Sequence, residues 1–197
     1  MMKKVLTLLA LIAMIGVANA ELLTNGDFEA GAGVGWNQWW GGNSGVGVPD
    51  PIEGDLCGGV WWSDDGIFQG IEIGADTYTV SGQISQENLF NRIGVIVAEV
   101  GVWNPDKWAP GVGGIDVWWT QQIEITPSDP TGTWLSGSTV IDNTTAGASY
   151  LNINLFLIDQ GEEPAGLARF DNISVVPEPT TLALLGLGGL LLRRKRS

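Results

Sequence analysis

The chain has 197 residues, with 9 basic and 22 acidic side chains, a net charge of −13, one cysteine and no histidine. Without histidine, Ser-His-Asp and Cys-His catalysis and histidine-ligated zinc are excluded, and the lone Cys57 excludes an intramolecular disulfide. Six of the nine cations lie at the two ends, so the acidic stretch between them repels nucleic acid and anionic lipid and suits divalent cations or neutral ligands.

The N-terminus reads "MMKKVLTLLALIAMIGVANA". Lys3 and Lys4 precede an apolar run from Val5 to Val17, and Ala18-Asn19-Ala20 is a small-x-small cleavage site. This layout predicts a secretory signal helix over residues 1–20, removed by signal peptidase to leave Glu21 first.

Residues 21–176 are long enough to bury a core as one domain. Period-two alternation dominates them. In "DTYTVSGQIS", Tyr78, Val80 and Ile84 share one face, with Thr77, Thr79 and Ser81 on the other. "RIGVIVAEV" is apolar almost throughout and reads as an interior strand. "YLNINLFLID" alternates Leu151, Ile153, Leu155 and Leu157 with Asn152, Asn154 and Phe156, and "FDNISVV" alternates Ile173 and Val175 with Asn172 and Ser174. Turn-rich clusters at Gly41–Pro51, Asn104–Gly114, Thr126–Gly132 and Gly161–Gly166 separate the runs. No helical period occurs, so the body is expected to be all-β, an antiparallel β-sandwich.

The body holds ten tryptophans, including the adjacent pairs Trp39-Trp40, Trp61-Trp62 and Trp118-Trp119. Adjacent strand residues face opposite ways, so each pair can give one ring to the core and one to the surface. Exposed rings beside Asn, Gln and Asp, as in "GWNQWWGGN" and "WWSDDG", suit stacking on a sugar, and these six tryptophans are the candidate ligand-binding residues. Structural packing is the alternative for each ring. Cys57 reads as a small buried hydrophobe, with an intermolecular bridge as the alternative.

Three segments carry a resemblance: "LLTNGDFEAGAGVGWNQW", "GIFQGIEIGADTYTVSGQIS" and "ARFDNISVV". Through Asn25-Gly26-Asp27-Phe28-Glu29, Trp36, Gln69, Tyr78 and Asp171 they resemble galactose-binding-like jelly rolls, the fold of many carbohydrate-binding modules. The likeness covers about a third of the body and leaves Val100 to Tyr150 unmatched. It implies a jelly-roll arrangement of the sandwich with neighbouring termini, and a structural calcium ion at Glu29 and Asp171, with Asp27 as a further ligand and backbone carbonyls completing the shell. Asp171 also shares strand parity with Ile173 and Val175, which aims its carboxylate at an apolar face unless it is paired or metal-bound. A solvent-exposed position, or pairing with Arg169 or Arg92, is the alternative.

After the body come Pro177-Glu178-Pro179, the uncharged run Thr180 to Leu192, and Arg193, Arg194, Lys195 and Arg196. At about 1.5 Å per residue the run spans about 20 Å, short of a hydrocarbon core of about 30 Å, so it predicts a short helix with transient membrane insertion, its cations kept cytoplasmic. The order resembles the PEP-CTERM sorting tail over residues 177–197. That resemblance implies recognition by an exosortase, cleavage near Pro-Glu-Pro, and delivery to the cell surface or extracellular matrix. A plain tail anchor is the alternative.

Together these features read as an exported, non-catalytic surface or matrix protein that binds polysaccharide. A passive matrix component without a specific ligand is the alternative. A small glycoside hydrolase using two of Glu53, Asp64, Asp65, Glu162 and Glu163 is a third reading.

Overall fold

Each alternating run has one apolar face to bury, and the runs bury it by pairing into two facing sheets. The computed structural model describes residues 21–39, 44–61, 65–87, 92–109, 112–125, 131–159 and 166–178. Ten strands form there: β1 (Asn37–Gln38), β2 (Ser44–Val48), β3 (Cys57–Val60), β4 (Gly66–Glu72), β5 (Thr77–Glu87), β6 (Arg92–Ala109), β7 (Val112–Ile125), β8 (Leu135–Asp142), β9 (Tyr150–Asp159) and β10 (Leu167–Pro177). No helix occurs among the described residues, and the expected signal helix and C-terminal helix lie outside them.

One sheet has the order β1-β4-β9-β6-β7 and the other β2-β3-β10-β5-β8. Every pairing is antiparallel. Between the sheets lies a core that includes Phe28, Ile67, Val80, Ile84, Ile96, Leu151, Ile153, Leu155, Phe170, Ile173 and Val175. The expected sandwich is therefore present, with β6 as an interior strand.

Two of the expected turn clusters are partly strand. β2 lies inside Gly41–Pro51, and the strands β6 and β7 run well into Asn104–Gly114. Main-chain pairing tolerates glycine and polar residues once a neighbouring strand is present, and a register shift between Trp103 and Trp108 absorbs the irregular residues.

The opening motif fastens the N-terminal segment across the sandwich. Phe28 is fully buried, and its ring lies 5.2 Å from that of Trp36. Asn25 donates to the carbonyls of Gly31 and Val34, and Trp36 Nε1 donates to the Asn25 carbonyl at 2.8 Å. Gln69 pairs with the Thr24 backbone through both amide atoms, at 2.7 and 2.9 Å. The described ends meet, as expected: Leu22 N–H donates to the Val175 carbonyl at 3.0 Å.

The parity reading of Asp171 is overturned. Phe170 and Ile173 both face the core although three residues apart, because a bulge between Asp171 and Ser174, with Asn172 at φ 51°, reverses the alternation. Asp171 instead pairs in register with Gln83 on the opposite face.

Candidate functional site

The outer face of the first sheet is built from the residues that alternate with the core positions. Cross-strand rows place Glu72, Tyr150, Gly101 and Val117 in one line, Gly70, Asn152, Glu99 and Thr120 in the next, and Phe68, Asn154, Val97 and Gln122 in a third. The middle of this face is polar although Asn152 and Asn154 are buried. Glu99 Oε2 accepts from Asn152 Nδ2 at 3.0 Å and from Asn154 Nδ2 at 2.8 Å. Asn152 is 1 % exposed, and its Oδ1 has no hydrogen-bond partner. An orphan acceptor costs about 1–3 kcal/mol unless something donates to it.

Aromatic rings stand at both ends of this polar floor. At one end Trp39 packs edge-on against Phe68, with centroids 6.3 Å apart, and tilted against Phe156 at 6.1 Å. At the other, Trp103, 44 % exposed, lies 5.3 Å from Tyr150. Glu72, Ile73, Trp103, Ser149 and Tyr150 line a cavity of about 490 Å³. Burial, and then the Glu72 carboxylate, push the Tyr150 phenol above its ordinary pKa, so it is a hydrogen-bond donor at neutral pH.

The six expected tryptophans are not gathered in one place. Trp39 belongs to this face as a half-buried packing ring. Trp40 and Trp62 lie outside the described residues, and Trp61, half-buried, follows β3 in the second sheet. Trp118 and Trp119 divide as expected, beside a bulge: Val100 pairs with Trp119 and Gly101 with Val117, leaving Trp118 as the extra residue. Trp119 packs on the core and Trp118 is 48 % exposed. Sequence reasoning passed over Trp103, Tyr150 and Glu72. The only available signal was their place in runs taken for turn or strand, because their meeting depends on the β6–β9 register.

Glu29 and Asp171 meet the same loop, the connection between β2 and β3. Glu29 Oε1 accepts the Asp55 and Leu56 amides, each at 2.9 Å. Asp171, fully buried, accepts the Ile52 amide at 3.0 Å and the Asn172 amide at 2.8 Å. Burial raises the Asp171 pKa, backbone N–H groups including that of Glu53 oppose this, and the nearby Glu29 charge adds to the rise. Asp27 is turned to its own chain, where it accepts the Glu29 amide at 3.4 Å. Arg169 directs its guanidinium to Glu87 at 3.0 Å and Asp50 at 3.6 Å. A buried carboxylate with a second negative charge in reach fits a cation. Among the described residues no three acidic, cysteine or histidine side chains converge, so backbone oxygens would have to supply most of its ligands. Cys57 beside them is fully buried, its thiol pushed up to about 12 mainly by desolvation, and it is inert packing.

Comparison with known proteins bears on both fold and tail. The family model described as the PEP-CTERM protein-sorting motif matches residues 175–196. No curated protein matches the chain in sequence. Among solved structures, TmCBM61 in complex with β-1,4-galactotriose is similar at 15 % identity and TM-score 0.53, over 81 % of this chain and 99 % of that one. The CBM22-1 xylan-binding domain of Xyn10C from Paenibacillus barcinonensis is similar at 16 % identity and TM-score 0.50, over 81 % and 96 %. So is the Stig cyclase Fisc from Fischerella sp. TAU, at 15 % identity and TM-score 0.55, over 82 % and 99 %. The chain thus joins a PEP-CTERM sorting motif to a β-sandwich with the fold of carbohydrate-binding modules.

Proposed function

We propose that this protein is a non-catalytic, exported polysaccharide-binding module, released to the cell surface or extracellular matrix after signal peptidase and exosortase act on its two ends. The observation that carries the reading is the outer face of the first sheet. Exposed Trp103 stands against Tyr150 beside Glu72 and Ser149, next to a buried amide floor with an unmet acceptor on Asn152. Sugar hydroxyls both donate and accept, and an aromatic wall covers the apolar sugar face. From Tyr150 to Phe156 the face runs about 20 Å along β9, room for a short oligosaccharide.

Glu99 Oε2 is engaged by the Asn152 and Asn154 amides, which supports a role in holding this face over one as a free general acid or base. The neighbours that bind a β-1,4-galactotriose and xylan make β-1,4-linked galactan and xylan the first probes. A structural calcium ion held by Glu29 and Asp171 with carbonyls of the β2–β3 loop belongs to the same reading; bound there, it would supply charge neutralisation and fix the loop.

The test is a pull-down of the folded protein on insoluble polysaccharides, with and without chelator. Retention on at least one polysaccharide, competed by its soluble oligosaccharide, is expected. No retention on any would favour a passive matrix component, and turnover of a glycoside would replace both readings.

A further inference from the structure

The sorting motif and the folded sandwich share residues. The family match begins at Val175, whereas β10 continues to Pro177. Val176 pairs with Thr79 and Pro177 with Tyr78 of β5. Glu178 then donates its backbone N–H to the Thr77 carbonyl at 2.7 Å, and its carboxylate accepts the Thr79 hydroxyl. On the other side, Glu21 accepts the Val175 amide at 2.8 Å and the Ser174 hydroxyl. Pro177 is therefore the last residue of a sheet strand, Glu178 is hydrogen-bonded to β5 just beyond it, and only Pro179 stands between Glu178 and the apolar run that starts at Thr180.

A peptide read in extended form is held through free main-chain groups, with its side chains giving specificity. The amide and carboxylate of Glu178 are already engaged by the protein's own β5. We propose that the sandwich masks its own sorting signal, and that the tail is engaged only after the end of β10 from Val176 to Glu178 detaches from β5. The proposal rests on exosortase being the processing partner.

The opening required is local. Among the described residues β3 pairs with β10 only at Ala168, Arg169 and Phe170, so the last residues are held on that side by the N-terminal segment and on the other by β5. Phe170, Ile173 and Val175 can keep their core places while the end frays, which puts the step at the low end of a protein's opening energies. Thr79 is the residue to change because its hydroxyl contacts Glu178 and not the core.

Full-length protein in its native host is followed by pulse–chase for loss of the tail, as wild type, Thr79→Val, Thr79→Ser, and with a flexible linker of about eight residues inserted between Val176 and Pro177. Loss of one hydrogen bond should raise the open population, and with it the processing rate, about five-fold in Thr79→Val. Thr79→Ser should stay near wild type and the linker chain should be fastest. Hydrogen exchange of the Glu178 amide, which is bonded to the Thr77 carbonyl, followed on native full-length protein, should give the same order without any exosortase. Equal processing in all chains overturns the proposal, as does the Glu178 amide exchanging in the native wild type as fast as in urea. Slower processing of the linker chain also overturns it, since the docked strand would then be the form recognised. Tail loss that persists without exosortase, with the exchange order intact, would remove the exosortase reading and leave the masking in place.

Discussion

The rings of Trp103 and Tyr150 lie 5.3 Å apart at 51°, on the neighbouring strands β6 and β9. Tyr150 pairs in register with Gly101, two residues before Trp103, so the alternation of β6 returns Trp103 to the same face. Glu72 completes the row from β4. One amphipathic wall thus draws its parts from three strands distant in sequence.

Trp103→Ala should weaken polysaccharide binding by about ten-fold, near 1–2 kcal/mol, because the lost ring is a stacking surface. Its exposure keeps the change in melting temperature small. Isothermal titration with a soluble oligosaccharide and thermal denaturation measure the two effects, and unchanged affinity would remove Trp103 from the site.

Gly70 tests the placement of Tyr150 without touching either ring. A Cβ added there would come within 2.1 Å of the phenol oxygen and 2.6 Å of the ring carbon bearing it, so the ring must shift. Gly70→Ala should cost about 1 kcal/mol of binding, about five-fold in Kd, and alter the near-ultraviolet dichroism. Equal affinity with an altered spectrum would show that Tyr150 is not needed in its observed place.

Gly26 is required by the closure of the sandwich. Its carbonyl accepts the Ile173 amide at 2.9 Å, and a Cβ there would sit 2.0 Å from the Ile173 carbonyl oxygen. Backbone cannot yield as a side-chain tip does, so Gly26→Ala should destabilise by about 2–4 kcal/mol in denaturant unfolding.

Asp171 gives a pH signature with a definite sign. Its folded pKa is raised, chiefly by burial, so its favourable contribution is fully present below the unfolded value and is lost as pH rises through the folded one. In chelator, wild-type stability relative to Asp171→Asn should therefore decline as pH rises above the ordinary aspartate value of about 3.9. Calcium at neutral pH should raise the wild-type melting temperature, and Asp171→Asn should abolish that response. A melting temperature indifferent to calcium would leave the β2–β3 loop held by hydrogen bonds alone.

The sequence by itself determined the strands whose alternation is regular, β5 and β9 above all, because one-sided burial requires a period of two and each run carries it locally. It also determined the sorting tail, whose three parts are contiguous and need no fold to be recognised. Through the resembling segments it identified Asn25, Phe28, Glu29 and Gln69, though not that Asn25, Phe28 and Gln69 staple the N-terminal segment. Only the tertiary structure decided which face Asp171 takes, because a single bulge reverses parity and leaves no mark in an alternation pattern. Only it brought Trp103, Tyr150 and Glu72 together, since register between strands far apart in the chain sets that row. And only it showed that Pro177 and Glu178 belong to two things at once, a signal read as linear sequence and a strand end held by β5.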